Sequence, residues 1–395
     1  MEFEHSHMIS KANRLNAFGE YYFSKKLREV AQLKAEGLDV INLGIGSPDL
    51  PAPQVAIDAL NEAAKQSGAH QYQSYRGLPE LREAIAKWYQ YHFNVSLNPT
   101  NEILPLIGSK EGIFHLSMAF LDTGDTVLVP DPGYPAYTNC AKLAGANIVS
   151  YNLKAENNWL PNLDEIEKNL NPKTKMMWVN YPHMPTGAAA SREFFQQLIH
   201  FAQKNNILIC HDNPYTFILN ENPISILDFE GAKDVAVELN SLSKSYNMAG
   251  WRVGMLAGAA PYIEATQQVS SNLGSGMFKA LQVAAAEVLA LDDTWFEDLN
   301  EVYKKRKMVS TKILTALACP PEAGQVGMFL WAKAPDEIKD IEIWLDELLH
   351  ATGVFLTPGF IFGQNGARYV RLSLCNTVEV LEKALNRIEG WRAKI

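Results

Sequence analysis

Ser-Leu-Ser-Lys-Ser-Tyr-Asn-Met-Ala-Gly-Trp-Arg-Val-Gly, residues 241–254, is the most informative stretch of this chain. It sets Lys244 among serine hydroxyls, eight residues ahead of Arg252. Apolar runs at residues 235–239 and 253–258 predict strands, so we expect Lys244 on a loop between buried elements. A lysine amine attacks carbonyl carbon, and Ser241 with Arg252 suits a phosphate, so the stretch fits a phosphorylated aldehyde. Ser-x-Ser-Lys alone is more typical of a surface turn; the flanking strands favour a functional site.

Short apolar runs alternate with helical patterns from about residue 101 to residue 258. A helix is predicted over residues 191–205, with Ser191 as its N-cap. The alternation predicts a mostly parallel, doubly wound α/β sheet. The predicted strands are residues 126–130, 147–151, 176–181, 207–211, 235–239 and 253–258.

The last third of the chain has a different pattern. Helices around residues 295–316 and 338–351 mix with strand candidates at 328–333, 354–357 and 369–374. This mixture predicts a smaller α+β domain beside the larger α/β domain. No internal repeat or low-complexity tract suggests a linker between them.

Composition and charge exclude several kinds of partner. The chain has 395 residues, a net charge of −9 and 47% hydrophobic residues, which predicts a soluble globular protein. An acidic chain has no basic excess for nucleic acid, and the basic run at 304–307 is expected to be a solvated helix face. No apolar run has transmembrane length, and residues 1–5 do not resemble a signal peptide, so we expect no membrane partner and a cytoplasmic location. The four cysteines are scattered, without metal-ligand spacing, so we expect reduced thiols and no metal.

Three further motifs could hold a ligand. Residues 108–113, Gly-Ser-Lys-Glu-Gly-Ile, precede an apolar helix, where free backbone N–H groups attract anions. Residues 131–137 form a turn-rich segment that carries Tyr134. Asp212 follows the predicted strand 207–211, at the edge where ligands bind in open α/β sheets. Taken alone, residues 108–113 are more typical of an ordinary helix start, residues 131–137 could be only a rigid loop, and Asp212 could equally well cap the next turn.

Taken together and in this order, these motifs resemble those of the class I/II (fold type I) pyridoxal-phosphate aminotransferases. The resemblance covers nearly the whole chain. It implies that Lys244 forms a Schiff base with pyridoxal 5'-phosphate, and that Asp212 pairs with the pyridine nitrogen. It also implies a large cofactor-binding domain at residues 46–285 and a discontinuous small domain of residues 1–45 plus 286–395. The other cofactor-binding residues implied are Tyr72, Gly108, Ser109, Lys110, Tyr134, Tyr215, Ser241 and Arg252.

The resemblance also assigns substrate contacts and a partner. Residues 363–373 resemble the substrate signature, in which Arg371 grips the α-carboxylate, and Gly46 contacts the same carboxylate through its backbone. Tyr72 lies in a Tyr-x4-Gly segment that reaches the phosphate of a neighbouring subunit, which implies a homodimer with shared sites. Tyr75 is the competing candidate for that role.

One position departs from the family pattern. The family reads Asn-Pro-Thr-Gly where this chain has Met184 followed by Pro-Thr-Gly. The methionine thioether has no N–H group, so it cannot make the hydrogen bonds that the asparagine amide donates. His183 or Asn180 could compensate for the loss, or the change could be neutral. We therefore expect Met184 to alter substrate choice more than cofactor use, and to favour a bulky or apolar substrate.

The sequence therefore predicts an aminotransferase that moves an amino group from an amino acid to a 2-oxo acid by a ping-pong reaction. A lyase or decarboxylase on the same scaffold is the alternative, because a fold does not determine a reaction. A non-catalytic regulatory module is a weaker alternative, since no basic DNA-binding segment flanks the fold. The substrate pair is left open among the aspartate, alanine, aromatic and diaminopimelate types.

Overall fold

The computed structural model describes residues 9–19 and 22–393. Residues 1–8, 20–21 and 394–395 lie outside this range, so the expectation drawn from residues 1–5 and parts of the predicted small domain lie outside it too. Within the described residues, no helix combines the length and apolarity needed to cross a membrane.

Twelve strands are present in the described part of the chain. In chain order they are β1 (Ile41–Asn42), β2 (Ile103–Leu106), β3 (Thr126–Asp131), β4 (Asn147–Asn152), β5 (Thr174–Val179), β6 (Leu208–Asp212), β7 (Ala236–Ser241), β8 (Gly254–Gly258), β9 (Phe329–Lys333), β10 (Val354–Phe355), β11 (Thr357–Pro358) and β12 (Tyr369–Ser373).

Seven of these strands form the central sheet, in the order β2-β8-β7-β6-β5-β3-β4. Strand β8 runs antiparallel to both of its neighbours, and the pairs from β7 to β4 are all parallel. Every residue of β6 and β7 is buried, as expected for continuous apolar strands covered on both faces. The prediction of a mostly parallel α/β sheet is confirmed. Strand β2 was missed because Pro105 lies within its short apolar run.

The α-helices flank this sheet and the C-terminal strands. They are α1 (Tyr22–Ala35), α2 (Gln54–Ala64), α3 (Pro79–Phe93), α4 (Ser109–Phe120), α5 (Pro135–Ala144), α6 (Leu163–Lys168), α7 (Arg192–Asn205), α8 (Ala232–Val235), α9 (Leu242–Ser245), α10 (Ala260–Leu273), α11 (Lys279–Leu289), α12 (Thr294–Ala316), α13 (Ile341–Thr352) and α14 (Val378–Arg392). Ser191 caps α7 as predicted, because its hydroxyl accepts from the backbone N–H of Phe194 at 3.2 Å.

The C-terminal region contains a three-stranded antiparallel sheet, β11-β12-β9, and a separate parallel pair, β1-β10. The single strand predicted at 354–357 is therefore wrong: the chain passes from one sheet to the other within it, and forms β10 and β11. Pairing of β1 with β10 joins the N-terminal segment to the C-terminal region. The predicted boundary at residue 285 lies inside α11, and the division into two domains stays a prediction.

Two local expectations need correction. Lys244 lies in the short helix α9 rather than on a loop, because Ser241 caps that helix by accepting from the Ser243 N–H. The basic run at 304–307 is not wholly a solvated face. Arg306 is 2% exposed and forms two hydrogen bonds with Asp49, at 2.6 and 2.8 Å. The contact with Asp49, which is distant in the sequence, keeps Arg306 on the buried face of α12.

Candidate active site

A cavity of about 510 Å³ opens at the carboxyl edge of the central sheet, where β6 ends at Asp212 and β7 ends at Ser241. Parallel neighbouring strands bring these two ends together, and the short helix α9 then carries Lys244 to the same edge. A volume of this size suits a cofactor with a small substrate. The predicted site residues that line it are Gly46, Ser109, Lys110, Tyr134, Met184, Asp212, Tyr215, Ser241, Lys244, Arg252 and Arg371.

The Lys244 amine donates to the backbone carbonyl of Gly46 at 2.7 Å. Burial lowers the pKa of Lys244, and the positive charges of Arg371 and Arg252 lower it further, while Cys375 acts in the opposite direction. A lysine with a lowered pKa is more often uncharged, and it can then act as a nucleophile and as a base.

Asp212 lies beneath the cavity and is 4% exposed. Its Oδ2 accepts a hydrogen bond from the Tyr137 hydroxyl at 2.8 Å, whereas its Oδ1 is buried without a hydrogen-bond partner. Burial raises the pKa of Asp212 to about 6, although the Tyr137 hydrogen bond opposes this change. The Tyr137 ring stacks on Trp178, with centroids 4.9 Å apart and planes within 6°. The carboxylate is thus held at one oxygen and offers the other to a cationic N–H.

The start of α4 and the arginine after α9 form one wall of the cavity. Gly108 has φ +81°, and a Cβ there would lie 2.0 Å from Nη2 of Arg252. Only glycine therefore lets the helix start approach the guanidinium so closely. The first N–H groups of α4 and the Arg252 guanidinium suit a dianionic group, and Ser241, whose hydroxyl donates to the Val253 carbonyl at 3.2 Å, lines the same cavity.

Two tyrosines border the space between these groups. Tyr134 is half-buried and meets Tyr137 edge-to-face, with ring centroids 5.6 Å apart. Tyr215 packs edge-to-face against Phe329 at 5.9 Å. Burial raises the pKa of Tyr215, so its hydroxyl stays protonated and can donate. The cavity thus has a flat aromatic wall and a phenol donor.

Arg371 lies on β12 and is 5% exposed. Its Nη2 donates to the carbonyl of Gly44 at 2.8 Å, and its Nη1 donates to the thioether sulfur of Met184 at 3.2 Å. The guanidinium also lies over the Phe329 ring, 4.1 Å from the centroid. Met184 therefore contacts the very arginine to which the carboxylate-binding role is assigned.

The two proposed replacements for the missing asparagine, Asn180 and His183, are each already hydrogen-bonded within the protein, although Asn180 also lines the cavity and Nε2 of His183 is buried without a partner. The Asn180 amide donates to the Asp212 carbonyl at 2.6 Å, and its oxygen accepts from the Met184 N–H at 2.8 Å. His183 hydrogen-bonds Thr186 through Nδ1 at 2.8 Å, and burial lowers the His183 pKa to about 3. His183 is therefore neutral and bonded within its own turn.

Tyr72 does not line this cavity. Its side chain is 91% exposed and Tyr75 is 52% exposed, so neither contributes to the site of its own chain. Their neighbours on the surface include Phe278, whose ring stacks on His70 at 5.7 Å. The role assigned to Tyr72 in a neighbouring subunit stays a prediction.

Sequence reasoning missed several residues that line the cavity. Tyr137 was not predicted as a site residue. It lies in α5, three residues after the N-cap residue Tyr134, and this spacing could have indicated the same helix face. Ser243 lies in the lysine motif itself and was not assigned to the site, and most of the others are apolar side chains that nothing in the local sequence separates from ordinary core residues. They are Phe23, Leu27, Ile45, Phe329 and Phe362.

The residues present fit pyridoxal phosphate. The unpartnered Oδ1 of Asp212 suits a protonated ring nitrogen, and the wall at Gly108 and Arg252 suits a phosphate. Lys244 supplies the amine. An α/β sheet with such a cavity at its carboxyl edge defines the class, a fold type I enzyme dependent on pyridoxal phosphate.

Comparison with known proteins gives the family. The model of the aminotransferase class I and II family matches residues 38–388. The LL-diaminopimelate aminotransferase of Dehalococcoides mccartyi is 42% identical over 383 residues, which span 96% of this chain and 98% of that protein. The same-named protein of Aquifex aeolicus is 40% identical, across 98% of this chain and 100% of its own length.

Solved structures agree with the sequence relatives. Substrate-bound BacF of Bacillus subtilis superposes with a TM-score of 0.94 at 35% identity, covering 98% of each chain. The Thermus thermophilus aspartate aminotransferase with maleate has a TM-score of 0.90 at 27% identity, covering 97% of this chain and 100% of its own. The chain belongs to the aminotransferase class I and II family and is a pyridoxal-phosphate-dependent aminotransferase.

Proposed function

We propose that amino transfer takes place in the cavity at the carboxyl edge of the central sheet, with Lys244 as the catalytic residue. The observation that carries this proposal is the presence of Lys244, the unpartnered Asp212 carboxylate oxygen and Arg371 around one cavity. The reaction exchanges groups without an external oxidant: an amino acid and a 2-oxo acid give the corresponding 2-oxo acid and a new amino acid.

When bound, pyridoxal phosphate supplies a carbonyl that bonds the substrate nitrogen and a ring that accepts the electron pair left at Cα. Asp212 Oδ1 holds the ring nitrogen protonated, because a buried carboxylate stabilises a cation beside it. The phosphate would be held by Arg252, by Ser241 and by the start of α4. The start of α4 contributes the backbone N–H groups at Gly108, Ser109 and Lys110. Tyr134 and Tyr215 line the same cavity, where Tyr134 would pack on the ring and Tyr215 would donate to its oxygen.

Lys244 has two tasks at the substrate. Its amine would hold the cofactor before substrate binds, and, once released, would act as the base that takes the proton from the substrate Cα and as the acid that returns it. Burial lowers the pKa of Lys244, which favours the free amine that this transfer needs. Arg371 and the backbone of Gly46 bind the substrate carboxylate, which orients the Cα–H bond toward the lysine.

Borohydride reduction of the loaded enzyme tests the assignment. Reduction should fix the cofactor mass on the peptide that contains Lys244, and Lys244→Ala should lose the label and turnover. Lys110→Ala is the matched control, because Lys110 lines the same cavity but should keep the label at Lys244. Label on Lys110, or full turnover by Lys244→Ala, would contradict the proposal.

We also propose a homodimer with shared sites. Exposed apolar side chains cluster where residues 70–76 pack against residues 273–278, as the approach of Gly276 to the Gln73 carbonyl indicates. Tyr72, Leu273 and Phe278 are 91%, 61% and 41% exposed. An apolar surface of this kind is typical of an interface, and a second subunit would bring its own Tyr72 to the phosphate.

The buried, unpaired thiols of the four cysteines support the cytoplasm as the compartment of this protein.

Two kinds of amino donor are candidates for the substrate. The names of the relatives with about 40% identity favour LL-diaminopimelate as the amino donor. This donor carries an amino group and a carboxylate at each end of an aliphatic chain. The lining of the cavity in this chain favours a different donor.

A further inference from the structure

Three aromatic rings surround the arginine that is proposed to bind the substrate carboxylate. The Arg371 guanidinium lies 4.1 Å from the Phe329 ring centre, 4.6 Å from Phe362 and 5.9 Å from Phe23. All three rings also line the cavity and are at most 9% exposed. A substrate whose carboxylate contacts Arg371 therefore lies beside aromatic carbon atoms.

The opposite side of Arg371 is apolar as well. Met184 is 5% exposed, and its sulfur lies 3.2 Å from Nη1 of Arg371. A thioether adapts its shape to apolar partners and packs well against aromatic rings. Leu27 and Ile45 add further apolar side chains to the cavity lining.

Charged groups that could meet a charged substrate end are few. Among the described residues that line the cavity, Asp212 is the sole carboxylate, and Tyr137 and the cofactor nitrogen account for its two oxygens. Lys110 and Arg252 lie on the wall formed by α4, where the phosphate is proposed to bind. An additional ammonium or carboxylate on the substrate side chain would therefore meet no counterion among these residues that is not already assigned. The uncharged polar groups of the lining include Tyr134, Asn180, Tyr215 and Ser243.

We propose that one of the two amino acids used by this enzyme has an apolar side chain, up to the size of an aromatic ring, which binds against Phe23, Met184, Phe329 and Phe362. This rests on the proposed function, because it uses Arg371 as the carboxylate anchor. Such an amino acid differs from LL-diaminopimelate, the substrate that the relatives' names give. Burying an unpaired charge is costly, so the pocket discriminates against charged side chains.

The direct test is a single-turnover reaction without a 2-oxo acid acceptor. The loaded enzyme is mixed with one donor at a time, and the 2-oxo acid released per site is followed over time. L-phenylalanine, L-leucine and L-methionine should each react at least tenfold more efficiently than L-aspartate and LL-diaminopimelate. A higher efficiency for LL-diaminopimelate or aspartate than for every apolar donor would overturn the proposal.

Binding of unreactive carboxylates gives a second measurement that needs no turnover. Calorimetry on the loaded enzyme should show 3-phenylpropanoate binding at least tenfold more tightly than glutarate, and the reverse order would overturn the proposal. If no donor yields a 2-oxo acid, the proposed function fails, and the order of binding alone then decides the nature of the pocket.

Met184→Asn is the informative variant, because it restores the polar group that the family pattern has. It should reduce the preference for 3-phenylpropanoate over glutarate at least threefold. Met308→Asn is the matched control, since Met308 is 62% exposed on α12 and should leave the preference unchanged. An unchanged preference in Met184→Asn would contradict the contribution of Met184 to the pocket.

Discussion

Asp212 shows how a single hydrogen bond can prepare a carboxylate for a ligand. Burial alone works against its charge, and the Tyr137 hydroxyl is the side-chain donor that stabilises it at Oδ2. Because Tyr137 is itself buried and stacked on Trp178, its hydroxyl has a defined direction. Tyr137 is thus a positioning residue that acts on the cofactor through Asp212.

Tyr137→Phe should make cofactor binding more sensitive to acid. The variant keeps the ring stack and loses a hydrogen bond to a charged group, which is worth about 1.5–3 kcal/mol, or roughly one to two pKa units. The pKa of Asp212, about 6 in the free protein, should rise further. Since the anion is the binding form, affinity falls as pH decreases through this pKa, and the fall should begin at higher pH. Fluorescence titration with pyridoxal phosphate across pH measures it.

Tyr151→Phe is the control for that experiment. Tyr151 is also buried, and its hydroxyl donates to the Trp178 carbonyl at 2.6 Å, away from the carboxylate. It should lower stability without moving the pH dependence of cofactor affinity. The same pH dependence in Tyr137→Phe and the wild type would show that Tyr137 does not act on Asp212.

At the scale of elements, the beginning of α4 has to approach Arg252 without a side chain between them. Gly108→Ala places a methyl group where Arg252 lies and adds strain at φ +81°. We expect cofactor affinity to decrease at least tenfold, from displacement of Arg252 and strain of about 1–2 kcal/mol. Calorimetry with pyridoxal phosphate measures the effect. Gly390→Ala on α14, where an added Cβ has open space, should bind normally; equal affinities in both variants would argue against the phosphate wall.

Helix α12 is connected to the segment that carries Gly46 through Arg306 and Asp49. Arg306 donates to both oxygens of Asp49 and to the Leu374 carbonyl at 3.1 Å, so it joins the segment before α2 to the end of β12. The substrate-facing residues Gly46 and Arg371 lie on these two segments. Their relative position therefore depends on a side chain outside the cavity.

Asp49→Asn should destabilise the protein by about 1.5–3 kcal/mol, because it leaves the buried Arg306 charge without its counterion. It should also raise KM more than it lowers kcat, since the change affects substrate positioning. Urea unfolding and steady-state kinetics measure the two effects. Glu301→Gln, which breaks the exposed pair with Lys305 on the same helix, should change stability by less than about 0.5 kcal/mol. Comparable losses in both variants would contradict the role of the Arg306 contact.

At the scale of the whole molecule, a dimer predicts complementation between inactive subunits. Co-expressed Tyr72→Ala and Lys244→Ala chains form hybrids in which one site has both an intact lysine and an intact partner tyrosine. With random assembly, about a quarter of the wild-type activity should return. Sedimentation measures the oligomeric state, and an activity assay of the co-expressed chains measures the restored activity. Tyr91→Ala, at an exposed tyrosine on α3, should be active by itself. A fully active monomer would contradict the prediction.

The local sequence was sufficient for six of the seven strands of the central sheet, because apolar runs of strand length alternate there with helical patterns, and β2 with its Pro105 was missed. It was also sufficient for the motifs around Lys244, Asp212 and Arg371, since each combines a reactive side chain with recognisable neighbours. The cofactor and the aminotransferase class followed from their order along the chain, and both are confirmed by the relatives.

Only the tertiary structure decided the contacts between residues distant in sequence. Tyr137 becomes the partner of Asp212, Arg306 is buried by Asp49, and Met184 meets Arg371 across a separation of 187 residues. The apolar residues around Arg371 come from α1, β9 and the 3-10 helix Gly359–Phe362. An isolated phenylalanine has the same local pattern in a core as in a pocket. Its role depends on which charged group it faces, and chain folding alone determines that.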